Sequence, residues 1–122
     1  MTEPNKILLC IDDEPTGLNI RKVILEQNGY EVLIAESGAR GLELFRQHAV
    51  DAVVLDYYMP VMDGGTVASA MKTLKPQVPI ILLSAYINLP ETALATVDAF
   101  ITKGQSPNVL LQKVKELVSN GN

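Results

Sequence analysis

The sequence predicts a doubly wound α/β domain, in which a parallel five-stranded sheet is covered by helices on both faces. Short apolar runs alternate five times with longer segments of helical periodicity, which gives the order (βα)5. Three of the runs are nearly continuous in Ile, Leu and Val, as is typical of strands buried on both faces. The length of 122 residues suits one domain. We therefore expect a single domain over residues 1–122, with a structured core of about 5–119.

The predicted strands share a high content of apolar and β-branched residues, and they cover residues 6–11, 31–35, 51–56, 79–84 and 98–102. Right-handed crossovers between parallel strands place helices on both faces of the sheet. All strands then end at the same edge, which is where such sheets bind ligands. The residues that end each strand are therefore the first candidates for a functional site.

The first helix is predicted over residues 15–28. Pro15 can occupy a first helical position, and Gly29 lies just past the end. The apolar side chains of this helix fall on two faces: Leu18 and Leu25 lie roughly opposite Ile20 and Ile24. One of these pairs must be partly exposed, packed under neighbouring loops or in contact with another molecule.

Apolar residues at helical spacing indicate three further helices: Leu42, Phe45 and Ala49 for helix two; Val67, Ala70, Met71 and Leu74 for helix three; and Leu110, Val114, Leu117 and Val118 for helix five. Pro76 cannot continue helix three, which we expect to end near Lys75. Ser106 and Pro107 suit the N-cap and first turn of helix five. Residues 90–96 leave room for only a short helix four.

Composition narrows the class of protein. The net charge of -4 and the pI near 4.9 argue against direct binding of nucleic acid or anionic lipid, which need a positive field. No apolar run approaches the roughly 20 residues that cross a bilayer, so we expect no membrane insertion. Cys10 is the only cysteine and no signal-like segment follows Met1, which favours a cytoplasmic location. We expect Cys10 in the core and His48 at the solvated end of helix two.

Polar residues gather at the carboxyl ends of four predicted strands: Asp12, Asp13 and Glu14 after the first, Asp56 at the end of the third, Ser84 at the end of the fourth and Lys103 after the fifth. Each residue alone would suit a cap or a solvated position, but together they indicate a functional site. Two carboxylates about 4 Å apart repel by roughly 4 kcal/mol at a dielectric near 20, so a cation is expected. Mg²⁺ prefers such oxygen ligands. The lack of a Cys/His cluster disfavours zinc, and acids at the first turn disfavour a nucleotide phosphate.

Four motifs occur in a specific order: IDDEP at 11–15, VVLDYYMPVMDG at 53–64, LLSAY at 82–86 and FITKG at 100–104. With them, essentially the whole chain resembles a response-regulator receiver domain of two-component signalling. The resemblance implies a flavodoxin-like three-layer sandwich with strand order 2-1-3-4-5. It also implies a phosphorelay switch that catalyses only its own phosphorylation and dephosphorylation, and is otherwise no enzyme.

The resemblance assigns roles to the acidic residues. Asp56 matches the aspartate that accepts a phosphoryl group from a phosphohistidine on a histidine kinase or histidine phosphotransfer protein. Asp13 matches a direct Mg²⁺ ligand and Asp12 one that acts largely through water. The backbone carbonyl of Tyr58 completes the protein ligands.

The resemblance also assigns the switch. Ser84 matches the switch hydroxyl, Lys103 the lysine that pairs with the phosphoryl group, and Phe100 the switch aromatic. Phosphorylation is expected to draw Ser84 inward and rotate Phe100, which alters the surface of helix four, strand five and helix five. The exposed face of helix one is a candidate docking patch for the partner, and we expect Leu18→Ser to test it.

The sequence departs from the usual family pattern at Gly104, in the spacing between Ser84 and Lys103, and at Pro90. Gly104 stands where a proline, often after a cis bond, is usual, so a trans bond is expected. Only 19 positions separate Ser84 from Lys103 and Pro90 falls between them, which supports a short helix four. Tyr58 and Tyr86 flank the site, and we hypothesise that they shield the acyl phosphate from water.

Two other functions stay open: a receiver-like interaction module that works without phosphorylation, and a metal-dependent phosphatase. The phosphatase normally has a second aspartate at the position of Tyr58. The downstream effector, the cognate kinase and the oligomeric state are not predicted by the sequence.

Overall fold

The computed structural model describes residues 5–119. Strands and helices alternate throughout: β1 (Ile7–Ile11), α1 (Pro15–Gln27), β2 (Glu31–Ala35), α2 (Gly38–Gln47), β3 (Ala52–Asp56), α3 (Gly64–Leu74), β4 (Ile80–Ser84), α4 (Glu91–Thr96), β5 (Ala99–Thr102) and α5 (Pro107–Ser119). The five strands pair in parallel in the order β2-β1-β3-β4-β5. The predicted fold class and strand order are confirmed.

The sheet separates two apolar layers, because successive side chains of a strand point to opposite faces. Leu9 and Ile11 of β1 pack on one side with residues of α2, α3 and α4. Leu8 and Cys10 pack on the other side with residues of α1 and α5. Strands β3 and β4 are buried along their whole length, which confirms the interpretation of continuous apolar runs as doubly covered strands.

Helix α1 resolves the choice between its two apolar faces. Leu18 and Leu25 are buried against the sheet, whereas Ile20 is 55% exposed and Ile24 is half-buried. Leu18 is therefore a core residue, and the expectation that Leu18→Ser tests a surface patch is wrong. Helix α1 begins after Glu14, whose carboxylate accepts the Thr16 N–H.

The remaining helices agree with the sequence, apart from one boundary. Helix α3 ends at Leu74 with Lys75 as its C-cap, and α4 has only six residues, as predicted. The N–H of Asn108 donates to the Ser106 hydroxyl at 3.3 Å, which supports Ser106 as the N-cap of α5. The assignment of Ala49 to helix two is wrong. The helix ends at Gln47, because the chain must become extended to enter β3.

The end of α2 is held by a lysine from α3's C-cap. Lys75 Nζ donates to the carbonyl oxygens of Phe45 at 2.6 Å and His48 at 3.0 Å. His48 is the C-cap and is exposed, as predicted. All described peptide bonds are trans, including the one before Gly104, and no helix within residues 5–119 is long and apolar enough to cross a membrane.

Candidate metal centre

The sheet brings the predicted site residues to one rim. Asp12 follows β1, Asp56 and Ser84 are the last residues of β3 and β4, and Lys103 follows β5. The Lys103 N–H donates to the Ser84 carbonyl at 2.8 Å, and the Tyr57 N–H donates to the Leu83 carbonyl at 2.9 Å. These backbone bonds extend the pairing of β3, β4 and β5 past the strand ends and fix the rim on which the side chains stand.

Three carboxylates form the centre of this rim. Asp12, Asp13 and Asp56 each offer one oxygen, and these atoms lie within 4.8 Å of one another. Asp12 and Asp56 are only 1% and 3% exposed, whereas Asp13 is exposed. A set of hard oxygen donors that opens to solvent on one side suits Mg²⁺, which usually retains several waters. Glu14 is not part of this set, since its carboxylate caps α1.

Lys103 supplies a positive charge to the acids. Its Nζ lies 2.9 Å from Asp56 Oδ1 and 3.0 Å from Asp12 Oδ2. Burial by itself lowers the pKa of Lys103, but the two carboxylates outweigh it and raise that pKa. Lys103 is therefore held as a cation between the two buried carboxylates, and its pairing with a phosphoryl group stays a prediction.

The two buried carboxyl groups are perturbed in opposite directions. The pKa of Asp56 is raised, first by burial and then by the charges of Asp12 and Asp13, although Lys103 opposes this. Burial also acts to raise the pKa of Asp12, but the Glu14 N–H, Lys103 and Arg21 together hold it below its usual value. Charge on Asp56 is thus costly without a further cation, so the three carboxylates form a group that is suited to bind one.

Arg21 is a site residue that the sequence analysis missed. Its Nη2 donates to Asp12 Oδ2, the oxygen that also accepts from Lys103. The signal was present in the sequence, because Arg21 lies three residues after Leu18 and four before Leu25, in the middle of the buried stripe of α1. A charged residue in such a stripe needs a buried partner.

The two candidate switch residues lie on adjacent strands. Ser84 is fully buried, and its Oγ accepts the Tyr86 N–H at 2.9 Å. Phe100 on β5 is half-buried, stands opposite Leu82 of β4 and packs against the core on the α3 side of the sheet. The carbonyl of Tyr58 lies in the loop after β3, and its role as a ligand stays a prediction.

Three tyrosines lie in the loops that follow β3 and β4. Tyr58 and Tyr86 are 47% and 63% exposed, and their rings meet edge to face with centroids 5.2 Å apart. Tyr57, which the sequence analysis did not single out, extends the group with its ring centroid 4.8 Å from that of Tyr58. The three rings form a continuous aromatic edge along the β3 and β4 loops.

The sequence matches the response regulator receiver domain family over residues 8–115. The transcriptional regulatory protein GlrR of Escherichia coli is 35% identical to it across 89% of this chain and 25% of GlrR. RprY of Bacteroides fragilis, also a transcriptional regulatory protein, is 31% identical across 97% of this chain and 51% of RprY. The sensor protein GacS of Pseudomonas syringae is 32% identical across 88% of this chain and 13% of GacS. The chain thus spans about half or less of the length of these relatives.

Solved structures agree. A receiver domain protein from Methanospirillum hungatei superposes with a TM-score of 0.90 at 31% identity, covering 96% of both chains. TrrA of Thermotoga maritima, solved in complex with Mg²⁺-BeF, superposes with a TM-score of 0.88 at 34% identity, covering 92% of this chain and 98% of that one. The chain belongs to the response regulator receiver domain family and has its CheY-like flavodoxin fold. Such domains are signalling domains of two-component systems and not classical enzymes.

Proposed function

We propose that this receiver domain is phosphorylated on Asp56 by a partner phosphohistidine, with Mg²⁺ as cofactor. The observation that carries the proposal is the position of Asp56, buried at the end of β3 among two further carboxylates and 2.9 Å from Lys103. The similarity to GlrR, RprY and GacS supports a histidine kinase or a histidine phosphotransfer protein as the partner. The cytoplasmic location expected from the sequence stays a prediction.

The chemistry needs little from the protein beyond positioning and charge. A carboxylate oxygen of Asp56 attacks phosphorus, and the new O–P bond forms as the P–N bond to the histidine breaks and its ring nitrogen leaves with the bonding pair. Lys103 already binds Asp56 and can pair with one phosphoryl oxygen, and the Ser84 hydroxyl can donate to another. When bound by Asp12, Asp13, Asp56 and the Tyr58 carbonyl, Mg²⁺ supplies further charge stabilisation on the phosphoryl group.

Intact-mass spectrometry tests this proposal directly. The protein is incubated with Mg²⁺ and a small phosphodonor such as acetyl phosphate, and we expect one phosphoryl adduct. Asp56→Asn should show none, while Asp51→Asn, a carboxylate at the opposite end of β3, should be modified like the wild type. A folded wild-type protein that gains no adduct contradicts the proposal and favours an interaction module that works without phosphorylation.

We further infer that phosphorylation exchanges hydrogen bonds of Ser84. Its Oγ now accepts from the Tyr86 N–H, and turning toward a phosphoryl oxygen would leave room beside β5 that Phe100 can enter. The affected surface would be that of α4, β5 and α5. In Ser84→Ala we expect phosphorylation to persist. The changes that phosphorylation causes in the amide chemical shifts of β5 and α5, measured by NMR, should largely vanish in this variant. Chemical-shift changes as large in Ser84→Ala as in the wild type would contradict the switch.

The exposed rings of Tyr58 and Tyr86 support the shielding hypothesis. Tyr58 lies two residues after Asp56 and Tyr86 two residues after Ser84, so we expect removal of either ring to admit water to the acyl phosphate. We expect Tyr58→Ala and Tyr86→Ala to lose the phosphoryl group several-fold faster than the wild type when decay is followed by intact mass. Unchanged lifetimes in both variants would refute shielding.

A further inference from the structure

Both oxygens of the Asp12 carboxylate already accept hydrogen bonds. Oδ1 accepts the Glu14 N–H at 3.0 Å, and Oδ2 accepts from both Arg21 Nη2 and Lys103 Nζ. Asp12 is 1% exposed, so water has little access to this group. Lys103 connects Asp12 to Asp56. Within residues 5–119, Arg21 forms an ion pair with Asp12 but with no other acid of the cluster. A second, partly buried cation is thus committed to one of the acids that the metal would use.

The guanidinium of Arg21 has unused capacity. Its side chain is only 16% exposed, and its Nε is a buried donor without a hydrogen-bond partner in the part of the chain that the structure describes. Leaving a buried donor unpaired is unfavourable, so the arrangement is not the best that an arginine can reach. The pairing with Asp12 is therefore strong in charge but incomplete in hydrogen bonding.

Space beside Arg21 allows it to move. A cavity of about 180 Å³ lies between α1 and the loop from β5 to α5, and Gly17, Arg21, Ile24 and Lys103 are among the residues that line it. Gly17 borders the guanidinium, since a methyl group added there would be in ordinary van der Waals contact with Arg21 Nη1 at 3.4 Å. Arg21 can leave Asp12 without unpacking the core.

We propose that Arg21 is an internal counter-ion that competes with Mg²⁺ for Asp12 and weakens metal binding. This inference rests on the proposed function, since it concerns the same metal site. The group formed by the three carboxylates and Lys103 has a net charge of -2. Adding Arg21 to this group brings its net charge to -1. An incoming dication meets less attraction, and it must share or displace a bonded guanidinium. Arg21 also stabilises the metal-free pocket by reducing repulsion among the acids.

Calorimetric titration with MgCl₂ tests the inference. In Arg21→Met, which keeps the length of the side chain and removes the charge, we expect Kd for Mg²⁺ to fall by roughly three- to tenfold. Lys22→Met is the matched control, because it removes the same charge from the next residue of α1, where Lys22 pairs with Glu26. Its Kd should stay within about twofold of the wild type.

Arg21→Lys separates charge from packing, since it retains a cation at the same place. Its Kd for Mg²⁺ should stay near the wild-type value, and Arg21→Gln, which removes the charge but keeps a polar side chain, is the test protein if Arg21→Met does not fold, with the same fall in Kd expected. Equal Kd values in Arg21→Met and Lys22→Met, or weaker binding in Arg21→Met than in the wild type, would overturn the competition. Absence of Mg²⁺ binding in every protein would instead refute the proposed metal site itself.

Discussion

Cys10 lies in the middle of β1, and its burial sets its reactivity. The side chain is fully buried, and burial raises the pKa of the thiol from 9.0 to about 12, with a small opposing effect of Arg21. The thiolate is the nucleophilic form, so Cys10 is an inert core side chain at neutral pH. The prediction of a core role from its place in an apolar strand is confirmed.

This shift predicts a pH dependence of stability. Because the pKa is higher in the folded state, the folded protein binds more protons between pH 9.0 and about 12, and stability is lost as pH rises through that window. Relative to Cys10→Ala, the wild type should lose about 1.4 kcal/mol of unfolding free energy between about pH 8 and pH 10. Urea denaturation at the two pH values measures this difference. Parallel changes in both proteins would mean that the thiol is not the cause.

Gly64 is required where α3 approaches the end of β3. A Cβ atom there would lie 2.6 Å from the Asp56 carbonyl oxygen and 2.7 Å from the Tyr57 Cα, so backbone would have to move. The neighbouring Gly65 is less crowded, with the nearest atom at 3.3 Å. The glycine after Asp63 thus fixes the backbone that presents Asp56.

The pair of glycines offers a matched test of this contact. Gly64→Ala should destabilise the protein by about 1 to 3 kcal/mol through overpacking and slow modification of Asp56 by a small phosphodonor. Gly65→Ala should change stability by less than about 1 kcal/mol, since alanine favours the helix and only slight adjustment is needed. Thermal unfolding and intact-mass kinetics on both variants distinguish them. Similar behaviour of the two would count against a backbone constraint at Gly64.

At the scale of elements, α1 divides its two apolar faces between the core and the surface. Leu18 and Leu25 pack under the sheet, whereas Ile20 and Val23 are 55% and 51% exposed. We propose this exposed face as the docking patch for a partner that carries a phosphohistidine, because the helix begins directly after the acidic residues of the rim.

Two substitutions in α1 separate folding from docking. Leu18→Ser should destabilise the protein by about 3 kcal/mol or more, because it leaves a cavity and buries a hydroxyl. Ile20→Ser should change stability by less than about 0.5 kcal/mol and leave modification by acetyl phosphate unchanged, yet weaken phosphorylation by the partner. Urea denaturation and phosphorylation assays with both donors measure this. An Ile20→Ser protein that the partner phosphorylates normally would exclude docking at this face.

Helix α4 shows how chain length limits an element. Leu89 and Ala93 are the buried anchors of this region, and only six residues from Glu91 to Thr96 are helical. The preceding loop leaves Tyr86 and Ile87 exposed, at 63% and 71%. The switching surface proposed for α4, β5 and α5 is therefore built mainly on β5, α5 and this loop.

At the scale of the whole molecule, the acid cluster joins metal binding to stability. Asp12, Asp13 and Asp56 come from the ends of two strands, so their oxygens are gathered only in the folded chain. A cation that binds the folded state alone must stabilise it by mass action. Metal affinity and unfolding free energy should therefore change together.

Thermal and urea unfolding with and without Mg²⁺ check this linkage. At ten times Kd, Mg²⁺ should add about 1.4 kcal/mol to the free energy of unfolding, and a chelator should remove the gain. Asp13→Asn should lose most of it, whereas Glu14→Gln should retain it, since Glu14 caps α1 outside the cluster. Equal stabilisation of both variants would show that Mg²⁺ acts elsewhere.

Helix periodicity and strand composition predicted the elements well, because each is a property of neighbouring residues. They failed at Ala49, which continues the apolar spacing of α2 but lies beyond its end. There the requirement to enter β3 and the contacts of Lys75 with the Phe45 and His48 carbonyls determine the boundary. Such long-range contacts leave no mark in the local pattern.

The sequence by itself determined the fold class, the strand order through family resemblance, and the gathering of Asp12, Asp13, Asp56, Ser84 and Lys103 at one rim. It could do so because the carboxyl ends of parallel strands necessarily share an edge of the sheet. Only the tertiary structure decided that Arg21 binds Asp12, that Glu14 caps α1 and that Leu18 is buried while Ile20 is exposed. These depend on how a helix is rotated against the sheet and which rotamers its side chains adopt, and both are set by packing between elements distant in sequence.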